Sequence, residues 1–102
     1  MGSWSTPISP LGRFFIGFFH QDWRDEYPDA ATAVATYVDD ESLDHRKAAR
    51  QELLQLLARC DSESELSAAV DKLGSSYHPP GVGETYREWL EKVERYLREH
   101  EV

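Results

Sequence analysis

Residues 11–23 read LGRFFIGFFHQDW and hold all four phenylalanines of the chain within six positions. At about 100° per residue, Leu11, Phe14, Phe15, Phe18 and Phe19 recur at i, i+3, i+4, i+7 and i+8 and make one apolar face. Arg13, Gly17 and His20 fall on the opposite side. Ser9 is placed to cap the N-terminus, and Pro10 suits the first helical position, where a missing N–H is no loss. A short buried strand is the rival reading, because an unbroken apolar run does not fix the period. No other segment alternates with period two, so such a strand would lack a ladder partner. The spacing therefore predicts a helix. Burying one phenylalanine contributes about 1.5–3 kcal/mol, so the rest of the chain is expected to enclose it.

Beyond this helix, residues 20–29 (HQDWRDEYPD) are dense in acids, and Pro28 disfavours helix at Tyr27, which predicts a loop. Asp29 is placed to cap a second helix from Ala30 to about Val38, with Ala30, Ala31, Val34, Tyr37 and Val38 facing inward. Asp39-Asp40-Glu41 opposes the negative end of that helix's dipole and reads as an exposed turn. Ser42 opens the longest helix, to Arg59 or Cys60, whose inward stripe is Ala49, Leu53, Leu56, Leu57 and Cys60 with Leu54 on the flank. His45, Arg46, Lys47 and Arg50 read as a solvated basic face that balances the nearby acids.

Ser62-Glu63-Ser64-Glu65 is a capping box, followed by Leu66, Ala69, Val70 and Leu73 on one face and by Gly74 as a C′ residue. Two prolines and two glycines in residues 75–83 predict a fixed loop rather than regular structure. Thr85-Tyr86-Arg87-Glu88 is a second capping box. It opens a last helix that buries Tyr86, Trp89, Leu90, Val93, Tyr96 and Leu97, with Glu91–Arg95 and Glu94–Arg98 as i,i+4 pairs. The pattern is five helices and no strand: an all-α, compact single-domain bundle over residues 1–102, its core about 10–98.

Nineteen acids against eleven bases leave a formal charge of −8. That balance excludes direct nucleic-acid binding as the leading reading, because phosphate contacts need clustered Lys and Arg. It suits a basic protein partner or solubility alone. Cys60 stands alone, which excludes an internal disulfide and fits a reducing, cytoplasmic compartment; its expected role is a small apolar residue at a helix end. The longest apolar run is far below the ~20 residues a membrane span needs, and no signal peptide is recognisable. Met1-Gly2 with Thr6 meets the loose myristoylation pattern, a weak match over few positions.

Little in the chain points to catalysis. His20 and Asp22 lie two apart, whereas helical metal ligands use i,i+3 or i,i+4 spacing, and His45, His78 and His100 are scattered. Asp22 is expected to cap or orient backbone, with Trp23 closing the core beside it. There is no nucleophile elbow and no phosphate loop, since PPGVGE lacks both the spacing and the lysine. Tyr77, Pro79 and Pro80 could present an aromatic–proline surface, but a loop packed on Trp89 is the plainer reading. Neither an enzyme, a cofactor nor a metal is expected.

Four blocks occur in order: FFIGFFHQDW, E-L-x-x-L-L at Glu52 to Leu57, L-G-x-x-Y-x-P-P at Leu73 to Pro80, and Y-R-E-W-L at Tyr86 to Leu90. Together they resemble the small immunity proteins of bacterial contact-dependent growth inhibition systems, over about Leu11 to Leu97. Ser75, where relatives often carry Cys or another aromatic-adjacent residue, departs from the pattern. The resemblance implies a cytoplasmic protein that binds and neutralises the C-terminal toxin domain delivered by a neighbouring cell. It also implies that Phe14, Phe15, Phe18, Phe19, Trp23, Leu53, Leu73, Trp89 and Leu90 are scaffold. Partner-specific residues are then expected outside that set, among the flanking acids Asp25, Glu26, Asp29, Asp39, Asp40, Glu41 and Asp44. Many toxins of such systems are nucleases with basic surfaces, which an acidic inhibitor meets by steered association. The competing surface is residues 77–82 with the neighbouring last helix. A helical adaptor without a toxin partner is the alternative function.

Overall fold

Six α-helices follow one another in the computed structural model, which describes residues 8–101. They are α1 (Pro10–Phe18), α2 (Trp23–Glu26), α3 (Ala30–Asp40), α4 (Leu43–Arg59), α5 (Glu63–Lys72) and α6 (Tyr86–Glu99). A 3-10 turn, Pro79–Val82, lies between the last two. Met1, Gly2 and Thr6, the residues of the acylation pattern, are outside the described residues. The five expected helices are α1, α3, α4, α5 and α6. The sixth, α2, is a single turn inside the segment expected to be loop, and Tyr27 before Pro28 is extended and ends it.

The phenylalanine face organises the core as its spacing predicts. Leu11, Phe14, Phe15 and Phe19 are fully buried. Phe14 meets Tyr37 of α3 at 4.6 Å between ring centroids, and Phe19 meets Trp89 of α6 edge-on at 5.1 Å. Phe18 is only half-buried, because it lies towards Tyr27 on the margin, 5.9 Å away. α4 is the central helix, packed most extensively on α1 and α6, while α5 packs on α6 and α3 on α1.

Helix ends are closed by their own caps and by charged side chains from neighbours. Ser9, Asp29, Ser42, Ser62 and Thr85 all accept the expected N-cap bonds, and both capping boxes form. In addition, Glu52 of α4 accepts the Leu11 N–H at 3.0 Å, and Glu63 of α5 accepts those of Tyr86 and Arg87 at 2.7 and 3.0 Å. At the opposite polarity, Arg87 donates to the Cys60 carbonyl at 2.6 Å. Carboxylates thus sit at helix N-termini and guanidinium groups at C-termini, the favourable sense for the dipole.

Three local expectations are corrected. Asp39 and Asp40 remain helical, since α4 begins at once and Arg46 donates to the Glu41 carbonyl at 3.2 Å, offsetting the dipole penalty there. Of the basic residues expected on a solvated face of α4, Lys47 is exposed, but the other three are half-buried and engaged. Arg50 turns inward to Glu94 and Glu101, Arg46 donates to the His100 carbonyl at 2.9 Å, and His45 accepts from Arg13 at 2.7 Å. On α3, Ala31 is exposed and Ala33 is buried, because the helix packs chiefly on α1.

Gly74 follows α5 with φ of 107°, and a Cβ there would meet Ile16 at 2.6 Å, so both backbone and neighbour demand glycine.

Candidate functional site

The seven candidate acids fall at the two ends of α3. Asp25 and Glu26 lie on α2, and Asp29 is the N-cap of α3. Asp39 and Asp40 form its last turn, Glu41 is its C-cap, and Asp44 lies in the first turn of α4. Eleven residues separate the two groups by about 16 Å along the helix axis. Six of the seven side chains are exposed; Glu41 is half-buried.

Several of these carboxylates already have work inside the molecule. Asp29 Oδ1 accepts the Thr32 N–H at 2.8 Å, and that bond holds its carboxyl below the ordinary range. Glu26 lies 2.8 Å from His20 Nε2, while His20 Nδ1 accepts the Asp22 N–H, so the proton of the neutral ring sits on Nε2, facing Glu26. Asp22 itself makes no side-chain cap bond, contrary to expectation; its backbone is held by His20 instead. Glu41 stands 4.0 Å from His45. Asp25, Asp39, Asp40 and Asp44 form no ion pair among the described residues and present open carboxylates.

Beside the first group a groove of about 660 Å³ opens between α3 and α6. Its floor is Trp23, Tyr77, Trp89, Val93 and Val34, with Tyr96 at one side. Tyr77 is buried against Trp89 at 4.7 Å and Trp23 at 5.3 Å, which settles the proline-rich loop as packed on Trp89. Burial raises the Tyr77 hydroxyl's pKa, and the Glu84 charge adds to the effect. Asp29 lies on the rim, as do Arg24, Glu84 and Lys92. Lys92 is bonded to Glu84, which raises its pKa, and Arg24 sits 5.5 Å over the Trp23 ring.

Sequence reasoning placed the floor residues in the core, and all five are buried there; the groove that opens over them is what it missed. The missed signal is the composition of α3: Ala30, Ala31 and Val34 are too short to bridge to α6, so the face they line stays open. Elsewhere, Cys60 is buried at the α4 C-cap, and among the described residues no three His, Cys, Asp or Glu side chains converge as a metal site. No described helix is long and apolar enough to cross a membrane.

Residues 8–97 match the CdiI immunity protein family. No curated protein matches the chain. Among solved structures, a chain of the crystal structure of a CdiA-CT/CdiI complex from Y. kristensenii 33638 is similar at a TM-score of 0.80 and 26% identity. The similarity covers 86% of this chain and 95% of that one.

Proposed function

Because the chain belongs to the CdiI immunity protein family, we propose that it binds and neutralises the C-terminal toxin domain of a cognate CdiA protein. The observation that carries this is the likeness to a chain of a CdiA-CT/CdiI complex along nearly its whole length. Neutralisation works by occlusion: a one-to-one complex covers the toxin's active site or the surface beside it, and this chain performs no catalytic step. It acts in the cytoplasm, where the delivered toxin would otherwise reach its target.

The charge supports a basic target surface, such as that of a nuclease toxin. At −8 overall, with open carboxylates at Asp25, Asp39, Asp40 and Asp44, the chain attracts such a surface before contact. These acids, with Glu26, Asp29 and Glu41, are the residues proposed to meet the partner's charge. Coexpression with the linked toxin domain should rescue growth and yield a copurifying complex, while unrelated toxins should still kill. Rescue without physical association would rule out occlusion.

A further inference from the structure

We propose that the groove between α3 and α6 is the anchor site for that toxin, taking one apolar or aromatic side chain flanked by lysine or arginine. This rests on the toxin-binding reading above and adds to it the place and chemistry of contact. The floor is preorganised, since Trp23, Tyr77 and Trp89 lock one another edge-on at 4.7 to 5.3 Å and are held from behind by Phe19. Aromatic rings fixed in this way accept a side chain without the entropic cost of ordering a loose surface. The short residues of α3 leave room for it.

Charge selects the occupant. The two cations of the rim are engaged, Lys92 with Glu84 and Arg24 with the Trp23 ring. At the α2–α3 end Asp25 and Asp29 are exposed and without a cation partner among the described residues. A partner residue next to the anchor therefore gains from positive charge. A second copy of this chain fits poorly, because it would bring −8 against −8.

The test measures binding of the purified toxin domain encoded beside this chain, by calorimetry and by association kinetics. Ala31→Trp plugs the groove from an exposed position, and Val82→Ser removes an apolar lip that is 61% exposed, so neither threatens the core. Leu54→Ser, on α4 and away from the groove, is the control. Ala31→Trp should weaken binding about tenfold or more, chiefly through faster dissociation, with an unchanged melting temperature. Val82→Ser should weaken it in the same sense, Asp25→Lys should slow association, and Leu54→Ser should bind as wild type. If wild type binds and both groove variants bind equally well, the anchor site is wrong while the toxin reading stands. If wild type fails to bind the toxin, both fall. Concentration-dependent self-association in ultracentrifugation, abolished by Ala31→Trp, would make a second copy the occupant and overturn the proposal.

Discussion

Arg50 of α4 reaches α6 and places its guanidinium 3.2 Å from the Glu94 carboxylate, with Glu101 closing the other edge of the fork. The two side chains of the first pair are only 17% and 11% exposed, so the seam is mostly out of water. Removing one partner leaves charge stranded there. Arg50→Ala should cost about 1–3 kcal/mol in urea denaturation. The double change Arg50→Met with Glu94→Leu should recover part of that loss, because paired removal strands less charge. Equal stability of Arg50→Ala and wild type would show the network to be solvated.

The phenylalanine helix makes a graded prediction. Phe15 is fully buried against Trp89, so Phe15→Ala should cost about 3–5 kcal/mol through lost transfer energy and a cavity. Phe18 is half-buried, and Phe18→Ala should cost less, about 1–2 kcal/mol. Thermal or chemical denaturation giving the reverse order would place the core elsewhere.

Much of this was legible from spacing. The i, i+3, i+4 pattern and the capping motifs located five helices because local caps and apolar faces are written in neighbouring residues. What lies in long-range geometry was not. Arg50 looked like part of a basic surface because nothing near it in sequence reveals that Glu94 and Glu101 meet it, 44 and 51 positions on. Likewise the pattern that buries Trp89 and Val93 is the same whether α3 closes over them or stops short. The candidate acids were chosen by charge and by lying outside the scaffold residues that the resemblance implies, and their engagement by Thr32, His20 and His45 became visible only in three dimensions.

Tyr37 gives a pH prediction. Its hydroxyl is buried with no hydrogen-bond partner among the described residues, and burial, aided by the Glu41 charge, pushes its pKa up to about 12. The folded chain therefore holds this proton more tightly than the unfolded chain does. The contribution is fully present below the ordinary value of 10.0 and is lost as pH rises from there to about 12. Tyr37→Phe should leave stability at pH 7 unchanged or slightly higher, because the removed hydroxyl bonds to nothing. The difference should grow by about 2–3 kcal/mol towards pH 12. Parallel alkaline denaturation curves for the two proteins would contradict this.

The acids at the far end of α3 predict a kinetic effect. Asp39→Lys, Asp40→Lys and Asp44→Lys together should weaken toxin binding by slowing association, and should flatten its dependence on salt. Circular dichroism should remain that of wild type, since none of the three is buried. An association rate and salt response unchanged by the triple reversal would remove these residues from the encounter surface.

The most direct measurement titrates the purified chain with its linked CdiA toxin domain and, separately, with an unrelated CdiA toxin domain, following heat and complex mass. A one-to-one complex with the linked domain, loss of that domain's activity in step with complex formation, and no complex with the unrelated one are the predicted results. Toxin activity that persists at saturation, or no complex with the linked domain, would contradict neutralisation by occlusion.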